Sequence, residues 1–203
     1  WGDAWNFDKI AFKPFACGTM TQPFIDCAIS AKAEMSVQEV QSIKAFVGEG
    51  TVHRLWEPLS EKRTPSSAYG AKFSVPYCIA VGLIYGAAGL AEFSEEILAN
   101  PDVISLAGKV SYTINPDDPY PREYVGWLEI ETNDGKKYDF KQNCLRGGKN
   151  QPMSDNEIEA KFLANCLYGG LDDAAIKRAL SEVKDYFSGV ISTSNALFSR
   201  LPA

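Results

Sequence analysis

The sequence predicts an α+β fold: a two-layer unit of mixed strands and helices over residues 1–150, followed by helices alone over 151–203. Two observations support this fold class. Apolar and polar residues alternate through much of the first part, most clearly where two such stretches flank an Asn-Asp-Gly turn at 133–135. After Ser154 the apolar residues recur at helical spacing instead. Two or three terminal helices are too few to close a core alone, so they should pack on something else.

The first elements in the chain are predicted to be a strand, a loop and a helix. Alternation over 5–12 indicates a short strand. The next segment, KPFACGTMTQP, has prolines near both ends and is typical of an irregular loop. A helix is expected over 23–33, where the apolar side chains form one stripe. The members of this stripe are Phe24, Ala28, Ile29 and Ala31.

The following stretch predicts a pair of strands. Ser36 either caps a short helical turn or leads directly into a strand over 40–47. The two glycines of 48–50 indicate a turn, and 51–56 is expected to be the returning strand. Residues 57–67 have the composition of a loop.

Residues 68–88 are the least polar segment and predict a buried helix. Because a proline inside a helix kinks it, the regular part should begin near Pro76, with the proline in the first turn. Asn100, which precedes a proline, indicates the cap of a short helix that ends at Ala107. A strand is then expected over 109–114.

The clearest local signal is a hairpin of strands over 125–131 and 136–142. Two helices follow. Ser154 and the glutamate three residues later have the spacing of a capping box, and the first helix should run to about Leu167, before a Gly-Gly pair. The second is expected over 172–187, with one apolar face. The residues on that face are Ile176, Ala179, Leu180, Val183 and Phe187.

Composition and charge exclude several classes of protein. Of the 203 residues, 45% are hydrophobic and 23% charged, which suffices for a core without disulfides. A net charge of −6 argues against a general nucleic-acid binder, and any anionic substrate must be met by local cations. The longest apolar run, residues 75–90, is broken by a proline and three glycines, so no membrane span is expected.

The five cysteines and the amino terminus of the chain indicate the cellular compartment and the origin of the chain. No pair of cysteines has zinc-site spacing, and the number is odd, so we expect buried free thiols in a reducing cytoplasm. No signal peptide is apparent. The chain begins at Trp1 without an initiator Met, as a piece cut from a longer product would.

Three segments, in a consistent order, resemble the MmgE/PrpD family. KPFACGTMTQPFIDCA at 13–28 resembles the segment that opens the family's second domain. The second segment, at 71–83, is similar to the start of a helix in the family and reads AKFSVPYCIAVGL. The third, at 146–162, is similar to the family's glycine-rich link into the final helices and reads RGGKNQPMSDNEIEAKF. The resemblance implies a smaller α+β lid plus returning helices, with the active site completed by a large amino-terminal helical domain.

The resemblance also implies a class of reaction. The family includes 2-methylcitrate dehydratase, cis-aconitate decarboxylase and iminodisuccinate epimerase, lyases and isomerases that move a proton next to a carboxylate of a small di- or tricarboxylic acid. Such chemistry needs cations to hold carboxylates and a positioned acid or base. We find no motif for a metal, nucleotide or flavin, so no cofactor is expected. The chain alone should be inactive; the alternative is a non-catalytic lid or dimerisation module, and a homodimer is expected.

Two residues are predicted to be catalytic. Lys13 matches the family's site lysine and would hold a carboxylate; its alternative role is a solvated surface lysine. Tyr77 matches a tyrosine of the family's site, and its phenol would donate to a carboxylate or enolate oxygen. The alternative for Tyr77 is a core tyrosine with a satisfied hydroxyl.

Further residues are predicted to bind substrate. Lys72 is a candidate anchor for a carboxylate, or else a helix-surface lysine. Cys17 and Gly18 lie in a loop whose backbone N–H groups suit an anion, although the Cys17 side chain is expected to pack rather than attack. Arg146, before two glycines, holds an anion or belongs to a hinge.

One departure from the family's pattern bears on the reaction. Gln22 stands where many members have a histidine, and Gly18 where the decarboxylase has one. Glutamine binds a carboxylate but cannot shuttle a proton, which disfavours decarboxylation. The single histidine, His53, lies in a predicted strand and is expected to have a structural or surface role. Asp26 is expected to be a cap or a helix-surface residue.

Overall fold

In a computed structural model, residues 2, 3, 6 and 10–189 are described. The chain divides into two compact units, Trp1–Asp155 and Asn156–Ala203. Among the described residues, all strands lie in the first unit, and the second is helical. The predicted α+β fold with carboxy-terminal helices is confirmed for this part of the chain.

Four strands form the sheet of the first unit, in the order β2-β1-β3-β4. They are β1 Val40–Val47, β2 Val110–Ile114, β3 Gly126–Thr132 and β4 Lys137–Gln142. β1 runs parallel to β2, with Ile43 opposite Val110, and antiparallel to β3, with Ile43 opposite Ile130. β3 and β4 are the predicted hairpin, and Gly135 in its turn has a φ of 80°.

Seven helices of the first unit accompany the sheet in the described chain. They are α1 Gln22–Glu34, α2 Glu49–Leu55, α3 Leu59–Arg63, α4 Ala68–Ala71, α5 Val75–Tyr85, α6 Glu95–Leu98 and α7 Pro101–Gly108. α5 begins after Ser74, whose hydroxyl accepts the Tyr77 N–H, and Pro76 lies in its first turn as predicted. Asn100 caps α7, also as predicted.

Helices cover one face of the sheet, which gives two layers. α1 packs on β3, β4 and α5, and α5 packs on α7. Leu128 and Ile130 of β3 point into this layer and are fully buried, while Glu129 lies on the other face, 3.8 Å from Lys44. The layers meet closely at Gly126, where a side-chain carbon would lie 2.5 Å from the Pro23 carbonyl oxygen.

Two predictions about residues 51–67 are wrong. Residues 51–56 are mostly helix α2, not a returning strand, and the segment taken as a loop contains α3. Thr51 and Leu55 are both buried, and a spacing of four residues places them on one face of a helix. Six residues are too few to distinguish this spacing from alternation. His53 therefore lies on an exposed helix surface rather than in a strand.

The predicted strand over 5–12 lies partly outside the described residues. Where residues 10–12 are described they are irregular, and the Phe12 N–H donates to the carbonyl of Gly147 at 2.9 Å. Ser36 takes the first of its two predicted roles. It caps a helical turn at Val37–Glu39 with a capping box, immediately before β1.

The described part of the second unit is formed by α8, Asp155–Tyr168, whose first residue ends the first unit, and by α9, Asp173–Phe187. Asp172 caps α9 by accepting the Ala175 N–H at 2.7 Å. Within this described part only Ala175 and Ile176 are buried. Several large apolar side chains remain exposed: Leu163, Leu167, Tyr168, Val183 and Phe187. None of the helices in the described ranges has both the length and the apolar composition to cross a bilayer.

Candidate functional site

The loop that carries Lys13 is tied to three other parts of the first unit. The Ala16 N–H donates to the carbonyl of Ala88, and the Gly18 N–H to the carbonyl of Lys72, both at 2.9 Å. The Phe12 N–H bond to Gly147 is the third tie. The segment at 13–28, the helix start at 71–83 and the beginning of the glycine-rich link therefore meet around one loop.

Lys13 is exposed at this loop. Its ammonium donates to the carbonyl oxygen of Cys17 at 3.1 Å, four residues further on. This bond closes the loop on itself. The arrangement places a cation at the surface of the unit, where an anionic ligand can reach it.

Cys17 lies beneath Lys13 and is buried. Its sulfur accepts a hydrogen bond from the Thr21 hydroxyl at 2.9 Å. A hydrogen bond from the Cys78 thiol is the main cause that lowers the pKa of Cys17, and burial is the main cause that raises the pKa of Cys78. All five cysteines lie in the described chain without a disulfide, and 17, 27 and 78 are buried. The geometry supports the packing role predicted for Cys17.

Gly18 does not have the free N–H group expected of an anion-binding loop, because that group is bonded to the Lys72 carbonyl. A side-chain carbon at Gly18 would lie 3.3 Å from the Phe73 ring and 3.4 Å from the same carbonyl. A side chain here would therefore be in tight contact with Phe73. Lys72 itself is half-buried, and its ammonium lies 5.9 Å from the centroid of the Phe93 ring.

Tyr77 lies in the core, with only 1% of its surface exposed. Its hydroxyl donates to the carbonyl of Glu92 at 2.7 Å, and its ring packs beside Phe93. Burial is the main cause that raises the pKa of the phenol, so the hydroxyl stays protonated at neutral pH. A protonated phenol is a hydrogen-bond donor, but in this structure its proton is directed at Glu92.

Replacing Tyr77 by phenylalanine is expected to lower the free energy of unfolding by about 1 kcal/mol, because the half-buried Glu92 carbonyl loses its donor. Urea denaturation measures this change. Tyr69→Phe is the matched control, since Tyr69 is 72% exposed and should change stability little. Equal stability of both variants and the wild type would contradict the prediction. An additional fall in activity in the full-length protein would assign the hydroxyl to the site as well.

Gln22 is the first residue of α1 and is fully buried. Neither its amide nitrogen nor its oxygen has a hydrogen-bond partner among the described residues. A buried polar group without a partner costs about 1–3 kcal/mol. A buried polar group without a protein partner calls for an explanation, and a bound ligand or water is one.

The side chain of Arg146 contacts two residues of the segment at 13–28. Its Nε donates to Oδ1 of Asp26 at 2.8 Å, and its guanidinium carbon lies 5.1 Å from the centroid of the Phe15 ring. Asp26 is thus in an ion pair, not only on a helix surface as predicted. No local signal could have found this pair, since its members are 120 residues apart.

A separate groove in the first unit contains none of the candidate residues. It has a volume of about 590 Å³ and lies between the end of α1 and α7, with Lys32, Ser36 and Lys109 among its lining residues. Among the described residues, no group of three or more His, Cys, Asp or Glu side chains is arranged to hold a metal ion. The loop of Lys13 presents a cation at an open surface, and a covering surface would be needed there to exclude water.

Comparison with known proteins gives one family match and several relatives. The sequence pattern of the MmgE/PrpD C-terminal domain matches residues 15–185. The chain is 25% identical to cis-aconitate decarboxylase of Mus musculus over 79% of its length, and 27% identical to the Homo sapiens protein of the same name over 80%. It is 26% identical to a probable 2-methylcitrate dehydratase of Saccharomyces cerevisiae over 68%. These matches span 34%, 34% and 28% of the relatives, so the chain covers about a third of their length.

Proposed function

The chain belongs to the MmgE/PrpD family, and on that premise we propose that it is the carboxy-terminal part of an enzyme of small di- or tricarboxylic acids. The proposed reaction moves a proton at a carbon next to a carboxylate, as in a dehydratase or another lyase, or in an epimerase. The names of the relatives support the substrate class. One observation carries the proposal: an exposed lysine on a loop where all three family-like segments meet.

Lys13 is the proposed cation for the substrate. An ammonium at this place neutralises a carboxylate and stabilises the negative charge that develops when the neighbouring carbon loses a proton. Tyr77 and Lys72 are proposed to assist as a hydrogen-bond donor and a second cation. Gln22 is proposed to bind a carboxylate, and because an amide cannot transfer a proton, a dehydratase or epimerase reaction is favoured over decarboxylation.

The proposed partner is an amino-terminal helical domain of the same enzyme. The matched domain is described as C-terminal, and the chain covers about a third of its relatives. The number of large apolar side chains exposed on α8 and α9 favours a covering surface, since larger exposed apolar patches often mark interaction sites. We also propose a homodimer in the cytoplasm. The alternative function, a non-catalytic lid or dimerisation module, has the same apolar surface in its favour.

The chain on its own is expected to show no enzyme-like turnover of 2-methylcitrate or cis-aconitate, whereas the full-length protein should act on a related acid. In the open site each charge contact is weakened several-fold by water. Steady-state assays of both proteins, each shown to be folded by circular dichroism, measure the difference. Comparable rates from the two would contradict the need for a partner domain. A folded full-length protein that turns over none of these acids would favour the non-catalytic module.

A further inference from the structure

We propose that Arg146 and Gly147 form a clamp that positions Lys13, with Asp26 holding Arg146 in place. This inference rests on the proposed function of Lys13 and assigns Arg146 a positioning role rather than a substrate-binding one. It also gives Asp26, which the sequence predicted only as a cap or surface residue, a part in the site.

The clamp contacts the loop on both sides of Lys13. The carbonyl of Gly147 accepts the N–H of Phe12, the residue before the lysine, at 2.9 Å. The guanidinium of Arg146 lies over the ring of Phe15, two residues after it. Because the chain is held at 12 and 15, the backbone of Lys13 has little freedom to move.

Asp26 anchors the clamp to α1. The side chains of Arg146 and Asp26 are only 20% and 11% exposed, so their 2.8 Å ion pair is shielded from water and stronger than an ordinary surface pair. An arginine serves here because its planar group donates to a carboxylate in its plane while its face packs on an aromatic ring. A lysine has the same charge but cannot make both contacts.

These contacts favour positioning over direct binding of substrate by Arg146. Its Nε is directed at Asp26, whose negative charge offsets the attraction that the guanidinium would exert on another carboxylate. Lys13, in contrast, is at the exposed surface of the loop, and its bond to the Cys17 carbonyl depends on the loop being closed. A displacement of about 1 Å at a catalytic group can cost roughly a hundredfold in rate, so part of this loss is expected when the clamp is weakened.

The test uses the full-length protein with Arg146→Lys, Asp26→Asn, Lys13→Ala and the double variant Lys13→Ala/Arg146→Lys. Kinetics are measured with whichever of 2-methylcitrate and cis-aconitate is turned over. We expect Arg146→Lys to lower kcat by about tenfold with KM changed less than about twofold. In the Lys13→Ala background the same substitution should have almost no further effect, because its action passes through Lys13.

Asn100→Ala and Arg122→Lys serve as controls. The first removes the cap of α7 and lowers stability without touching the loop, and the second repeats the Arg-to-Lys change at an exposed position. Both should leave kcat within about twofold. A raised KM with unchanged kcat for Arg146→Lys, or full additivity with Lys13→Ala, would overturn the clamp. Unchanged kinetics for Lys13→Ala would instead overturn the proposed function.

Amide hydrogen exchange tests the clamp independently of any substrate. In the Arg146→Lys variant, the hydrogen-bonded amides of Phe12, Ala16 and Gly18 should exchange several-fold faster than in the wild type, while those of the hairpin 126–142 stay unchanged. Exchange of these three amides that remains at the wild-type rate would reject the clamp even if the protein turned over neither acid.

Discussion

Replacing Lys13 by alanine in the full-length protein is expected to lower kcat/KM by on the order of a hundredfold or more, the scale seen when a key electrostatic group is removed. The loss should fall on the step that makes negative charge next to the carboxylate, because the ammonium stabilises that charge more than the ground state. The exposed position of Lys13 on a loop tied to three segments supports this role.

Arginine at this position should restore little of the lost activity. The Lys13 ammonium is compact and donates to the Cys17 carbonyl at 3.1 Å, whereas the guanidinium group is larger and planar. Steady-state kinetics of both variants measure the effect. Lys44→Ala is the matched control, since Lys44 is exposed on the open face of the sheet in a surface pair with Glu129. Wild-type kinetics for Lys13→Ala would identify Lys13 as a solvated surface lysine.

The second large effect is expected for Gly147→Ala, which should lower the free energy of unfolding of the first unit by about 2 kcal/mol or more. Gly147 has a φ of 88°, which costs any other residue about 1–2 kcal/mol. In addition, the new side-chain carbon would lie 2.1 Å from the Phe12 carbonyl oxygen, a backbone atom that cannot turn away. The loop before Lys13 would have to move, and the Phe12 bond to Gly147 would be lost.

Gly135→Ala separates the two causes of this loss. Gly135 has a similar φ of 80°, but nothing lies within 4 Å of the position that a side-chain carbon would take. It should therefore lose only the contribution of the backbone conformation, about 1–2 kcal/mol. Urea denaturation of both variants measures the difference. Equal losses at the two positions would show that the contact with Phe12 adds nothing to the backbone strain at Gly147.

Most regular elements were predictable because their signals are local. The strand β1 and the helix α7 were predicted with bounds within one residue, from apolar alternation in one case and an Asn-Pro cap in the other. The glycine of the turn predicted the hairpin of β3 and β4. Capping residues and helical periodicity predicted the two helices of the second unit. The failure at 51–56 occurred where a short segment carries no such marker, and packing made it helical.

The sequence by itself determined most of the elements outside residues 51–67, the family-like segments and the candidate residues, since all of these are read from neighbours along the chain. Tertiary structure alone decided how those residues are used. In the folded unit the Gly18 N–H donates to the Lys72 carbonyl, the Tyr77 hydroxyl donates to the Glu92 carbonyl, and Arg146 forms an ion pair with Asp26. These partners lie 15 to 120 residues apart, so no local pattern specifies them. A hydrogen bond depends on distances within a few tenths of an ångström, which only the packed layers of the first unit fix.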